Sequence, residues 1–306
     1  MAALFGLCKN ISVGLSSAIK PFNGMEGKSQ EEVEMKIGKN IHFLCGTYGS
    51  NIGIIKGDSE IAIVEGGWTA ETAGLALEYM NEIKEKASLK YLFMTHADRD
   101  HVGGCKTFKE AGAKIVIHEA EAKILDAPPP PAEPAAADII LKEDTKMKVG
   151  NLEVQFIHTP GHTPGSTCVY YQKEGILFPG DTILPDFAHP VMGRILHPPF
   201  IRQGIEMYVA SLKKLLALDT QWILPGHGKA IRNTKEWIKE LIQRAETFPE
   251  RALKVLEGEM TPTELAVKLQ AFPPTAQFLV DLLKKQGRIA EVGEKVIQKE
   301  PLYKRK

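Results

Sequence analysis

The chain is poor in cysteine, carries no net charge and lacks any apolar run long enough for a bilayer. Its four cysteines among 306 residues, Cys8, Cys45, Cys105 and Cys168, are far apart and form no CxxC pair. That excludes a disulfide framework and fits buried thiols in a reducing, cytoplasmic compartment. Lys plus Arg and Asp plus Glu are equal at 38 each, so no global field draws the chain to nucleic acid or to an anionic membrane. The apolar patches of residues 1–24 are broken by Lys9 and Lys20, and none approaches the ~18 residues of a membrane span. The first basic residue is Lys9, too late for the charged start of a secretory signal. No motif marks a serine or cysteine nucleophile. What remains is a chain with 43% hydrophobic and 25% charged residues, ordinary for a globular protein of one large domain and an appendage.

What is abundant is histidine and aspartate at glycine-rich strand ends. The apolar run Tyr91-Leu92-Phe93-Met94 leads into Thr95-His96-Ala97-Asp98-Arg99-Asp100-His101-Val102-Gly103-Gly104. Two imidazoles and two carboxylates thus crowd into a strand-to-helix loop, and these are the side chains that bind first-row divalent metals. Helix capping by Asp is the competing explanation for such a loop. The pattern recurs downstream. Val154 to Ile157 precedes Pro160-Gly161-His162, Ile176-Leu177 precedes Pro179-Gly180-Asp181, and Trp222-Ile223 precedes Pro225-Gly226-His227. Each time an apolar strand runs into glycine and delivers one His or Asp, and glycine lets the backbone turn sharply beside a site.

In these motifs the chain resembles the metallo-β-lactamase superfamily over about residues 40–230, with Asp98 standing where the family's His-x-His-x-Asp-His motif has its second histidine. The resemblance implies an α/β fold, a four-layer αββα sandwich. It also implies a first metal on His96, Asp98 and His162, and a second on Asp100, His101 and His227, bridged by Asp181. An Asp98 oxygen reaches about as far from the backbone as the nearer ring nitrogen of the histidine it replaces. Two divalent ions are expected, zinc first; the added oxygen ligand brings iron or manganese into range. Flavodiiron proteins of the same superfamily carry a Glu at this position and hold two irons.

The implied activity is hydrolysis of an ester, thioester, lactone or phosphodiester by a hydroxide held between the metals, with Asp100 as the carboxylate that orients it. Arg194 is the candidate contact for an anionic group of a small-molecule substrate, since a guanidinium offers a rigid donor fork; His189 and His197 share its loop. Glu65 is read as support for the ligands, and His118 as structural. Two alternatives stand beside hydrolysis. One is a di-iron redox enzyme, flavodiiron-like or sulfur-dioxygenase-like, although no flavodoxin or rubredoxin segment accompanies it. The other is a metal-stabilised regulator that binds nucleic acid.

Three segments are expected: an N-terminal extension (1–30) carrying an amphipathic helix, a catalytic domain (31–249), and a small C-terminal helical unit (250–306). Thr69 to Lys86, with Ala73, Leu77, Met80 and Ile83 at helical spacing, is expected to be a surface helix. Residues 127–134 read as a stiff proline-rich excursion at the mouth of the site. In the C-terminal unit, Thr261-Pro262-Thr263-Glu264 has capping-box chemistry, and two helices followed by a hairpin give a winged-helix-like pattern. Its 11 basic and 8 acidic residues are a weak charge excess for reading DNA. Comparable units in relatives cap the active site or build a homodimer, which is the expectation here.

Overall fold

The computed structural model describes residues 33–45, 49–189, 193–195, 201–256, 258–271, 273–295 and 300–305, with backbone alone at some of them, 187–189 and 193–195 included. The N-terminal extension and His197 lie outside the described residues.

The first sheet opens with an antiparallel meander, β1 (Val33–Ile37), β2 (Ile41–Cys45), β3 (Ile52–Lys56) and β4 (Glu60–Val64). It continues in parallel through β5 (Ser88–Phe93), β6 (Lys114–His118) and β7 (Ile139–Leu141). Helix α1 (Ala70–Ile83) links β4 to β5, and α2 (Arg99–Val102) and α3 (Cys105–Glu110) link β5 to β6; α4 (Glu119–Ala122) follows β6. Parallel strands need such crossovers, and the helices cover the face they cross.

The second sheet is formed by β8 (Thr145–Val149), β9 (Leu152–His158), β10 (Thr167–Tyr171) and β11 (Ile176–Phe178). Beyond a short ribbon of β12 (Phe187–His189) and β13 (Gly193–Ile195), it gains β14 (Trp222–Ile223) beside β11. Helices α5 (Ile205–Leu216) and α6 (Thr234–Val255) flank β14 in sequence, and α7 (Pro262–Leu269), α8 (Pro273–Lys285) and the ribbon β15 (Ile289–Lys295) with β16 (Glu300–Arg305) complete the chain.

Burial explains why the strands read as continuous apolar runs instead of alternating ones. Phe43, Ile55, Val64 and Phe93 of the first sheet meet Val154, Phe156, Val169 and Phe178 of the second in one core. Ile52, Ile54, Ile63 and Leu92 point the other way, against Ala73, Ala76 and Met80 of α1 and Phe108 of α3. Tyr170, Leu177 and Ile223 do the same against Leu212 of α5 and Leu241 of α6. Both sheets are therefore covered on both faces, giving the expected layer order of helices, sheet, sheet, helices.

The C-terminal helices and ribbon are present as expected. Leu265, Leu279, Leu283 and Tyr303 from this part share one apolar cluster with α5 and α6, and position 249/250 lies within α6. The proline-rich excursion packs on the outer helical layer through Ala132 and Ala135, with Lys106 of α3 paired to Glu133.

Candidate metal centre

Every histidine or aspartate singled out in the strand-end motifs sits just beyond the C-terminal end of a strand. His96, Asp98, Asp100 and His101 follow β5, His162 follows β9, Asp181 follows β11 and His227 follows β14. Strand ends of this kind are where open α/β sheets collect ligands. Backbone bonds fix the loops. Gly66 N–H donates to His101 O (2.8 Å) and Ser50 N–H to Asp100 O (3.0 Å), while Gly226 N–H donates to Gly180 O (2.9 Å). Two glycines are required by close approach. A Cβ at Gly180, whose φ is +54°, would overlap Thr95 Oγ1, and one at Gly226 would overlap Asp181 Oδ1.

The side chains converge in two groups. On one side, His96 Nε2 lies 3.2 Å from His162 Nε2, and Asp98 Oδ2 lies 3.7 and 3.3 Å from those two nitrogens. On the other, His227 Nε2 lies 3.2 Å from His101 Nε2 and 3.1 Å from Asp100 Oδ2. Asp181 stands between them: its Oδ1 is 3.5 Å from His101 Nε2, and its Oδ2 is 3.9 Å from His162 Nε2 and 3.6 Å from His227 Nε2. Four ring nitrogens and three carboxylates thus aim at common space.

The opposite edges of the rings are held by other groups. Thr95 Oγ1 is 2.9 Å from His96 Nδ1 and donates to Glu65 Oε1, whose partner oxygen is 3.3 Å from His101 Nδ1. Glu65 therefore supports two histidines at once, from a backbone with φ of +73°, a conformation that a non-glycine residue keeps only under constraint. Holding one ring nitrogen so that the other faces a metal is what outer partners of ligating histidines do. His118 has the structural role read from the sequence: its Nδ1 accepts from Ala120 N–H at the start of α4 (3.2 Å).

Electrostatics fit a bound cation. Burial and its neighbours His101 and His162 push the His96 imidazole well below its usual range, leaving the neutral form that coordinates metals. Burial would do the same to His101, but Glu65 and Asp181 outweigh it and drive the pKa up. His227 is likewise raised, Asp181 and Asp100 overcoming its burial. Asp181 is held low by His227 and His101 against the effect of its own burial. Its Oδ1 is buried without a well-formed hydrogen bond, His101 Nε2 lying 3.5 Å away, a costly state for a carboxylate oxygen that a cation held between the two would relieve. The donor set and its field suit divalent ions.

His96, His101, His162 and Asp181 are at most 5% exposed, so access comes from the side of Asp98, Asp100 and His227, whose side chains are 27–29% exposed. Arg194 lies in β13, and its side chain is outside the described residues, as is that of His189. Among the described side chains, Arg202 reaches the centre, forked onto Asp98 with Nη1–Oδ1 at 2.9 Å and Nη2–Oδ2 at 2.5 Å.

Sequence reasoning also passed over Asn51 and Glu121. Asn51 Nδ2 donates to Pro225 O (2.9 Å) and Gly228 O (2.8 Å), closing the loop around His227. Buried Glu121 accepts from Ala97 N–H (3.1 Å) and Gly165 N–H (2.9 Å), tying two ligand loops together. Glu121 lies just beyond the end of β6, in the same strand-end setting as the candidate ligands. Arg202 and Asn51 carry no local pattern.

The profile of the Metallo-beta-lactamase superfamily matches residues 45–227. The chain is 25% identical over 274 residues to the atrochrysone carboxyl ACP thioesterase of Aspergillus fumigatus, covering 80% of this chain and 78% of that protein. It is 29% identical to the hydroxyacylglutathione hydrolase of a Chelativorans species, over 76% of this chain and 84% of the other. Among solved structures, a metallo-beta-lactamase family protein of Thermus thermophilus superimposes with a TM-score of 0.68 at 21% identity, covering 87% of this chain and 99% of that one. With the profile spanning more than half of its residues and the strand-end histidines and aspartates gathered in one centre, the chain belongs to the metallo-beta-lactamase superfamily.

Proposed function

We propose that this hydrolase of the metallo-beta-lactamase superfamily holds two divalent metal ions and cleaves thioesters. The observation that carries the reading is Asp181, a buried carboxylate within 4 Å of histidines from both groups, Oδ1 near His101 and Oδ2 near His162 and His227. His96, Asp98 and His162 would hold one ion, Asp100, His101 and His227 the other, and Asp181 both. When bound, such ions supply a hydroxide at neutral pH and polarise a carbonyl. The chain's own residues do the rest. Asp100 is lowered to about 2, its His227 hydrogen bond and His101 overcoming burial, so it stays a carboxylate and accepts a hydrogen bond from the attacking water. His96, His101 and Asp181 form a dry floor, and the half-open rim of Asp98, Asp100 and His227 admits the acyl group. Thioesters are chosen among the candidate bonds because the relatives named above carry thioesterase and hydroxyacylglutathione hydrolase names.

A reducing, cytoplasmic setting agrees with Cys45, Cys105 and Cys168, which are buried and form no disulfide. Among the described residues no helix is long and apolar enough to cross a membrane. A small-molecule substrate without nucleic acid, the three-segment organisation and a homodimer built through the C-terminal unit belong to the same proposal. Zinc is the first choice of metal. The Asp98 oxygen beside His96 and His162 favours a second reading, an iron or manganese centre, with redox chemistry as its consequence.

The test is release of free thiol from a panel of S-acyl glutathiones and acyl phosphopantetheine thioesters, with matched oxygen esters, using protein of known metal content. Turnover of a thioester above its oxygen ester, lost on chelation and reduced at least ~10²-fold in Asp181→Ala, is expected. Protein that holds two metals yet releases no thiol from any member would sink the substrate assignment. Two irons and an absorbance change on reduction would select the second reading.

A further inference from the structure

Asp98 stands at the N-cap position of α2 but makes no side-chain capping bond. Capping is the ordinary use of an aspartate there, and it is forgone. The carboxylate turns instead to Arg202, which grips both oxygens in a planar fork. Burial would raise the Asp98 carboxyl, yet the bonds from His162 and Arg202 hold it far below the usual carboxylate range. The backbone that carries the guanidinium is anchored as well: the backbone N–H groups of Arg202 and Gln203 both donate to Gly161 O, at 2.8 and 3.0 Å. Gly161 immediately precedes His162. Arg202 therefore joins the loop that carries His162 to the side chain that faces it.

We infer that Asp98 and Arg202 act as one neutral ligand unit for the ion at His96 and His162, the carboxylate supplying the donor atom and the guanidinium cancelling its charge. The inference rests on the metal reading above. An imidazole at this position would be a neutral donor; an aspartate alone would add a negative charge to a centre that already has Asp100, Asp181 and Glu65. Paired with Arg202, the aspartate returns the count to that of an imidazole. The geometry permits both roles, since a carboxylate oxygen has two lone pairs. Oδ2 accepts from Nη2 while lying within 3.7 Å of both His96 Nε2 and His162 Nε2.

The consequence is a coupling that neither residue has alone. With a neutral donor at position 98, the backbone of Arg202 keeps its bonds to Gly161 O while the guanidinium loses the Asp98 carboxylate, and its positive charge is no longer cancelled at the donor itself. In that background, removing the guanidinium restores affinity.

The experiment is a double-mutant cycle on the full chain, wild type, Asp98→His, Arg202→Met and the double variant, with zinc stoichiometry by elemental analysis and affinity by competition with a chromogenic chelator. Wild type is expected to hold two zincs and Asp98→His to fall toward one. Adding Arg202→Met to Asp98→His should return the second zinc, and Arg202→Met should favour binding at least ~10-fold more there than in the Asp98 background. Asp98→Asn, which keeps the side-chain size, is expected to show the same loss and the same rescue, so a folding defect of one variant does not decide the matter. If Arg202→Met changes affinity by the same factor in both backgrounds, the pair is not a unit and the proposal fails. A wild type that takes up no zinc overturns the metal reading itself, and this proposal with it; that outcome is distinct from two zincs without coupling.

Discussion

At the scale of single residues, one buried histidine outside the centre sets a pH dependence. His42 Nδ1 is 2.7 Å from Tyr79 Oη, and burial, aided by Lys36 and Lys56, lowers its pKa from 6.5 to about 4. The unfolded imidazole takes up its proton near 6.5 and the folded one only near 4. Between those values the unfolded chain binds more protons, so stability rises with pH; the contribution is complete above 6.5 and lost as pH falls toward 4. The two lysines act partly through solvent, so the loss is about 2 kcal/mol, less than the full shift implies. Urea melts of wild type and His42→Gln at pH 7 and near the lower pKa are expected to show a smaller acid loss in the variant. Equal losses would remove His42 from the account. The histidines and aspartates that converge were legible in the sequence because metal ligation restricts the usable side chains and strand ends restrict where they sit. Arg202 was not, because its place beside Asp98 depends on an anchor distant in sequence, Gly161 O; the side chain of Arg194, the arginine expected to contact substrate, lies outside the described residues.

At the scale of elements, local chemistry was read most closely where it is self-contained. The capping box at the start of α7 is present as read: Thr261 Oγ1 accepts from Glu264 N–H at 3.2 Å, and Glu264 Oε2 accepts from Thr261 N–H at 2.9 Å. Thr261 is fully buried, so its hydroxyl has no water to replace the lost bond. Thr261→Ala is expected to cost about 1–2 kcal/mol, measured as a shift in the urea midpoint at unchanged slope. A cost below a few tenths of that would mean that α7 is held by packing alone. The helix over Thr69 to Lys86 was likewise visible from its spacing and forms as α1, with Thr69 Oγ1 accepting from Thr72 N–H. The second strand of the expected C-terminal hairpin forms at Glu300–Arg305. Its register is set by Tyr303, which exchanges backbone bonds with Met260 and packs in the cluster of α5 and α6. That contact spans a long stretch of chain and leaves no local trace. Strand β1 escaped for a related reason, since Val33–Ile37 gains its order by pairing along β2.

At the scale of the whole described structure, the centre is assembled from both sheets. The first contributes His96, Asp98, Asp100 and His101 with Glu65 behind them; the second contributes His162, Asp181 and His227. Away from the centre, the two sheets face each other through apolar side chains such as Phe93 and Phe156, whose rings meet edge to face at 4.8 Å. An ion in the centre therefore fastens one half of the fold to the other, and any opening of the halves releases it. At a hundredfold excess over its dissociation constant such an ion adds about 2.7 kcal/mol to stability. The consequence reaches beyond turnover, to how long a molecule lasts. If the proposed ions bind, a copy made when metal is scarce would part along this seam more often and offer its strands to proteases, whereas a loaded copy would stay shut. Digestion under conditions where opening is fast relative to cleavage should shorten the half-life of chelator-treated protein by ~10-fold or more relative to the loaded form, and Asp181→Ala should be cut at the fast rate whether or not metal is supplied. Equal half-lives for loaded and chelated wild type would show that the seam holds without an ion. On this account the supply of metal governs how much of the protein a cell keeps as well as how fast each copy works.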